Sequence, residues 1–413
     1  MPGISRITRV VLAENAGRDP QRLELKLHAM ARDPFAFFRG TNPLFLKLLP
    51  RGHTLFRAPR VLVCGDLHFE NFGAFKGDNR LVYFDLNDFD EACAAPFTID
   101  IVRFVAGIKV ASPGLALSGA QCRTLVETFM SAYEGAIRDG KPRWLERSLA
   151  EGIFEQLLRR AIRRTRTELL DRFSKRKGDA RRLRIDGTRT LPLLRGEAPR
   201  LRQFLAKFGR KMPHRSFYDL VEAARRIAGN GSLGLPRYLL LVEGRGSANQ
   251  NFALDLKFAA PSAVASWLQE PQPEWASQAV RIVTIQRILQ AIAPAQLHAV
   301  RFDREPFVLK ELQPSIDRLD LSNWRGKPRR ILEAVAGMGQ VTAWAHLRGC
   351  GHYGAMPAEL LQSYVRRVAW RKSIDRLAAT AAARTLRAWE SYRRDVAATG
   401  AAALARQTPS AGG

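Results

Sequence analysis

The chain has 413 residues, 46% of them hydrophobic and 9% aromatic, a composition that builds a sizeable core and excludes an intrinsically disordered or disulfide-dependent protein. Its formal net charge of +27 fits either a polyanionic partner, such as nucleic acid or an anionic lipid surface, or arginines spread over solvated helix faces. The four cysteines, Cys64, Cys93, Cys122 and Cys350, form no CxxC pair and read as reduced, mostly buried thiols. No stretch reaches the roughly 18 apolar residues that read as a membrane span. The first residues do not read as a secretory signal, so a cytoplasmic location is expected.

Residues 1–20 read as an N-terminal extension. From residue 21 the pattern is helical (Leu23, Leu25, Leu27, Met30), and the compact segment Asp33–Gly40 follows. That segment is either a hydrophobic anchor that packs a loop, ended by Gly40, or a device by which Arg39 reaches a phosphate. The run Arg60–Cys64 predicts a strand that stops at Gly65-Asp66, and Leu81–Asp85 predicts a second. Helical periodicity begins at Asp100 and is expected to continue to about Leu205. A dense basic run from Arg159 to Arg184 lies inside it. Such a run is ordinarily a solvated face, and Phe173 is its only aromatic residue, which makes a poor stacking platform for single-stranded nucleic acid.

Near residue 227 the texture changes. A helical segment is expected to lead into Gly229-Asn230-Gly231-Ser232-Leu233-Gly234. The strand Tyr238–Val242, a glycine-bearing turn and the strand Phe252–Phe258, which carries Lys257, come next. A helix with apolar positions Ala279, Ile282, Val283, Ile285, Ile288 and Leu289 follows, then strands His298–Asp303 and Pro306–Leu312 joined by a tight turn. From Lys327 to about Ala405 the chain reads as helical, with Gly339, Ala343 and Ala345 marking a close-packed helix. Residues 406–413 read as a flexible tail.

Three of these segments carry chemistry. Phosphoryl transfer needs an acid that accepts the nucleophile's proton and an amide oxygen nearby to hold a metal ion. Asp66 and Asn71, in Gly65-Asp66-Leu67-His68-Phe69-Glu70-Asn71, match that division. The second segment, Asn87-Asp88-Phe89-Asp90-Glu91, follows the next strand and offers carboxylates for magnesium. Asp88 is favoured there, with Asp85 and Asp90 competing. In the third, glycines let backbone amides approach phosphate oxygens, and Lys257, flanked by Leu254, Leu256 and Phe258, is costly on an apolar strand without an anionic partner. Asp66-x-His68 also imitates a metallophosphoesterase, but the remaining histidines form no metal-binding cluster. His68 therefore reads as a loop brace.

The segment Gly65–Asn71 resembles the catalytic loop of the aminoglycoside and choline phosphotransferase branch of the protein-kinase-like superfamily, which reads His-Gly-Asp-Leu-His-x-x-Asn. Asp88-Phe89-Asp90-Glu91 is similar to the metal motif of that branch, and Pro96 and Asp100 are similar to its Pro and Asp at the start of the next helix. More closely, the chain resembles an uncharacterised bacterial family, "domain of unknown function 2252". The likeness lies at Phe37–Gly40, Cys64–Gly73, Asp85–Ala92, Gly229–Gly234 and Gln286–Gln290, over most of residues 25–350.

The resemblance implies an α+β, two-lobed protein-kinase-like fold with a small antiparallel-sheet lobe and a larger helical lobe. An ordinary kinase runs from glycine loop and lysine to catalytic loop and metal motif. Here the order is reversed, which implies a circularly permuted chain. Residues 21–215 and 316–405 would then form the helical lobe and 216–315 the nucleotide-binding lobe. The implied activity is ATP- and magnesium-dependent phosphotransfer, with Asp66 as base and Asn71, Asp88 and Asp90 as metal ligands. Gly229, Gly231, Ser232, Gly234 and Lys257 would hold phosphates. Glu311 and Gln313, within Glu311–Pro314, would face the adenine. Arg39, His68, Asp85 and Asp100 would support, and the helix ending Ala343–His346 would pack beside the catalytic loop.

Two departures stand out. Cys64 occupies the position where the relatives carry His, and the helix after Lys257 has no acid at its centre, only Glu274 near its start and Gln286 inside. The acceptor stays open, with the surplus of arginine favouring an anionic one. A kinase-like pseudoenzyme or basic scaffold, and an AMP transferase on the same fold, remain alternatives.

Overall fold

A computed structural model describes residues 3–313 and 321–408 as a mixed α+β fold in which every paired strand is antiparallel. The centre of its largest core is the helix Thr98–Ala111, in which every residue except Lys109 is buried. Its sequence, apolar on all sides, requires cover all round. Helices Gly119–Asp139, Pro328–Gly349 and Ala369–Thr399 contribute to that core. Gly339 permits a close approach of two helices: a Cβ there would sit 2.7 Å from the Phe129 carbonyl oxygen. Gly339, Ala343 and Ala345 thus mark a tightly packed helix, as their small size predicts. Against this core lie the strand pair Arg60–Val63 and Cys93–Pro96 and the hairpin Phe72–Lys76 with Val82–Leu86.

A six-stranded sheet forms the second body of the molecule. Across it the strands run His298–Phe302, Glu305–Glu311, Phe252–Phe258, Arg237–Val242, Leu220–Arg226 and Thr190–Leu191. Alternation sorts the side chains. Tyr238, Leu240, Leu254 and Leu256 pack with Leu201 and Leu205 of the helix Glu197–Gly209, while Leu239, Leu241 and Ala253 join a separate cluster on the other face. Register places Arg237 opposite Lys257 and Asp255 opposite Lys310. The turn Asp303-Arg304 has φ of 49° and 69°, the left-handed pair that suits a two-residue hairpin.

Two expectations are corrected. The segment before the glycines is the strand Leu220–Arg226, not a helix. Its Ala, Glu and Arg content favours helix locally, but ladder bonds to strands on both sides override propensity. The helical reading of residues 100–205 is also interrupted. Helices Gly152–Arg163 and Arg166–Asp171 give way to the hairpin Ser174–Lys177 with Ala180–Leu183. Lys175, Arg176, Lys177, Arg181 and Arg182 of the basic run therefore lie on strands, and Arg181 turns inward to donate to the Ala248 carbonyl and pair with Asp171 at 2.6 Å. Strands Phe72–Lys76 and Cys93–Pro96 also went unread. Arg406 ends the helix Ala401–Arg406, and residues 409–413 of the expected tail lie outside the described residues.

All four cysteines are free thiols, with Cys64 and Cys93 buried. Among the described residues no helix is long and apolar enough to cross a membrane.

Candidate active site

The strand Arg60–Val63 delivers the chain to Gly65, where φ is 83° and an added Cβ would collide with the Glu91 carbonyl oxygen. Only glycine fits there. Asp100, at the start of the central helix, accepts from the backbone N–H groups of Cys64 (3.0 Å) and Gly65 (2.9 Å). The His346 ring joins Asp100 (3.2 Å) to the Tyr133 hydroxyl (2.9 Å). The helix bearing His346 therefore packs beside the loop as anticipated, and buried polar groups brace the loop from below. Within the loop the Asn71 side-chain amide donates to the Asp66 carbonyl, and the His68 Nδ1 accepts from the Glu70 N–H at 3.1 Å. The Asn71 carbonyl accepts from the Asn87 N–H at 2.7 Å, tying this loop to the acidic segment.

Asp66 is held by a residue that sequence reading missed. Arg103, one turn beyond Asp100 and 1% exposed, donates from Nε to Asp66 Oδ1 at 2.8 Å and from Nη2 to the Phe38 carbonyl at 2.7 Å. Its guanidinium carbon lies 3.6 Å from the centre of the Phe38 ring and 4.5 Å from that of Phe45, a desolvated cation–π setting. Burial pushes the Asp66 carboxyl up to about 6, against the pull of Arg103. A carboxyl poised near neutrality suits proton transfer.

Lys257 crosses from the six-stranded sheet to the acidic segment. Its Nζ lies 2.5 Å from Asp90 Oδ2 and 3.5 Å from Asp88 Oδ1. Burial raises the Asp90 carboxyl, and Asp88 adds to the rise while Lys257 opposes it. Glu91 turns away and accepts from the Ala263 and Val264 N–H groups (2.5 and 3.3 Å); burial pushes it up to about 7. Arg281, on the helix Gln278–Leu289, donates to the carbonyls of Asp90 (2.8 Å), Ala92 and Ala260 (2.9 Å). The helix that lacks a central acid thus docks through a cation onto the backbone of the acidic segment.

Asp66, Asn71, Asp88, Asp90, Arg39 and the Gly229–Ser232 turn line one cavity of about 570 Å³. Arg39 is ion-paired with Glu70. Asp88 and Asp90 with the Asn71 amide oxygen make a donor set of the kind magnesium takes, one or two carboxylates completed by substrate phosphate and water. Among the described residues no cluster of three or more His, Cys, Asp or Glu side chains forms a metal cage.

Other anticipated residues lie elsewhere. Asp85 is buried away from this cavity, receiving the Leu86 and Ala291 N–H groups and lying 3.4 Å from Arg348. Gly234 faces Arg18, and its carbonyl accepts from the Asp19 N–H at 2.9 Å. Glu311 and Gln313 line a second cavity of about 290 Å³ with Phe75, Val82 and Arg166, and Glu311 pairs with Arg80 at 2.7 Å. Pro314 lies outside the described residues.

The sheet face that carries Lys257 also holds groups left unread. Asp255 binds Arg237 through both oxygens (2.9 and 2.5 Å) and Arg226 at 2.8 Å. Burial alone would raise this carboxyl, but the two guanidiniums hold it well below the carboxylate range. Lys310 lies opposite, pushed down to about 8 by burial. The spacing of Asp255 and Lys257, two apart on a strand, places both on one face and is the signal that was available.

The family model described as "Uncharacterized protein conserved in bacteria (DUF2252)" matches residues 18–395. The chain belongs to this family. Every DUF2252 residue of the cavity named above lies within the matched span. No curated protein and no solved structure matches the chain.

Proposed function

We propose that the protein is a phosphotransferase that moves the γ-phosphoryl group of ATP, with magnesium, to an acceptor hydroxyl, on a circularly permuted two-lobed kinase-like fold. One observation carries the reading. Lys257 from the sheet meets Asp88 and Asp90 beside a cavity that also holds Asp66, Asn71 and the glycine turn. The connectivity supports it. Strand, glycine turn, strand, turn, lysine strand, the two helices Ala263–Leu268 and Gln278–Leu289, and two further strands follow one another, an order similar to that of a kinase nucleotide lobe.

In this reading Asp66, oriented by Arg103, takes the acceptor hydroxyl proton. The hydroxyl oxygen bonds to the γ-phosphorus, the bond to the β–γ bridging oxygen breaks, and ADP leaves. Lys257 offsets phosphate charge, and the glycine-turn amides orient it. Magnesium at Asp88, Asp90 and Asn71 would neutralise triphosphate charge.

Thermal-shift titration tests this. Mg·ATP is expected to raise the melting temperature of the wild type, and Lys257→Ala or Asp88→Ala to abolish the shift. Asp66→Asn is expected to keep binding and lose transfer of labelled γ-phosphate. A wild-type protein that responds to no nucleotide would overturn the proposal.

A further inference from the structure

The N-terminal segment brings two more cations into the same cavity, where both hold carbonyls of the glycine turn and leave the amide side of that turn to the nucleotide. Lys26, 1% exposed on the helix Pro20–Arg32, donates to Asn15 Oδ1 at 2.8 Å and to the Gly231 carbonyl at 3.0 Å. Arg18 donates to the carbonyls of Gly231 and Leu233, both at 2.7 Å. Both side chains line the cavity of about 570 Å³.

All their hydrogen-bond acceptors are neutral amide oxygens, and two positive charges converge on the single Gly231 oxygen. Among the described residues neither has a carboxylate within ion-pair distance, because the acids of this cavity are engaged elsewhere. Glu14 is taken by Lys47, Glu70 by Arg39, Asp66 by Arg103, and Asp88 and Asp90 by Lys257. Glu91 is taken by two backbone N–H groups. Burial and the charge of Arg18 pull the Lys26 ammonium well below its ordinary range, while the Asp66 carboxylate works against them.

A desolvated ammonium without a counter-ion is costly. Lys26 uses two of its three donors on protein oxygens and keeps one. An anion bound here would satisfy that donor, neutralise Lys26 and relieve its repulsion with Arg18. In the phosphotransfer reading the triphosphate has its own cation in Lys257, which reaches the acidic segment from the sheet.

We infer that Lys26 and Arg18 form an anion subsite for the acceptor. The acceptor class is a small molecule carrying a phosphate or carboxylate as well as the hydroxyl offered to Asp66. The cavity has the volume of a small-molecule site. The acceptor assignment rests on the phosphotransfer reading; the anion subsite rests on the Lys26 and Arg18 geometry.

Calorimetric titration of the full chain with orthophosphate and, in parallel, malonate tests the inference and tells phosphate from carboxylate. At least one is expected to bind the wild type saturably. Lys26→Met is expected to weaken it tenfold or more and Arg18→Gln several-fold, with Mg·ATP affinity falling by a smaller factor in both, because the glycine turn loses a brace but Lys257 stays in place. Lys257→Met is expected to do the reverse, losing Mg·ATP and keeping the small anion. Arg18→Gln, outside the buried helix face, supplies the readout should Lys26→Met fail to fold. The inference is overturned if neither anion binds the wild type. Equal weakening of the small anion by Lys257→Met and the Lys26 and Arg18 variants would place it at the nucleotide phosphates instead, and also overturns it. A wild type that binds small anions through Lys26 but no Mg·ATP would overturn the acceptor assignment and the phosphotransfer reading together, leaving an anion site of another purpose.

Discussion

Replacing Arg103 by Met isolates the group that holds Asp66. Methionine occupies the slot between Phe38 and Phe45 but removes the charge and the donors to Asp66 Oδ1 and the Phe38 carbonyl. Removing one partner of a buried ion pair costs about 3–5 kcal/mol. The lower end applies, because the Asp66 side chain is 20% exposed and can take up a proton. Its carboxyl, already pushed up to about 6 by burial, loses its main opposing influence and rises further. A carboxyl raised above its unfolded value of about 3.9 contributes stability that is fully present below that pH and lost as pH rises through the folded value. The variant is therefore expected to fall about 3 kcal/mol below wild type at pH 8 and to close much of the gap by pH 5, where Asp66 is protonated. Urea titrations at the two pH values measure this. A gap that is equal at both, or wider at pH 5, would show that Arg103 acts through ring packing alone.

Further outcomes follow from the same geometry. Asp255→Leu strands Arg226 and Arg237 in the sheet and is expected to cost about 3–5 kcal/mol in denaturant titration. Because the two guanidiniums hold the Asp255 carboxyl well below its ordinary range, its contribution is present above about pH 3.9 and is lost as pH falls further, so the deficit should narrow only under strongly acidic conditions. A deficit that already narrows at pH 6 would contradict the assignment. Asp100→Ala leaves the Cys64 and Gly65 amides without their acceptor, at about 1–3 kcal/mol each. Hydrogen exchange at these two amides is expected to accelerate, and unchanged rates would refute the brace. Gly65→Ala is expected to lower the melting temperature by driving a Cβ into the Glu91 carbonyl; a neutral result would mean the loop shifts freely.

Much of the candidate site was legible because its parts are local. A strand that ends in Gly65-Asp66, with an amide side chain five positions on, needs only turn chemistry to be read. The same holds for Asp88 and Asp90 after the next strand. Lys257 was legible as an anomaly, a cation among apolar neighbours on a strand. The strand Leu220–Arg226 was not, because its residues favour helix and its ladder partners lie elsewhere in the chain.

What the chain alone determined is the chemistry each segment offers, since strand ends, glycine turns and apolar periodicity are written within a few residues. Tertiary packing decided which of those groups meet. Arg103 looked like one position on an apolar helix, yet helix phase turns it onto Asp66. Arg18 and Lys26 lay in and just past an apparent extension, and the entry of that segment over the glycine turn carries them into the cavity. Glu311 and Gln313 are expected from the sequence to face an adenine, and packing sets the end of their strand at a second hollow. Such convergence depends on register, helix phase and crossing geometry summed over the whole core, and no single stretch of sequence encodes these.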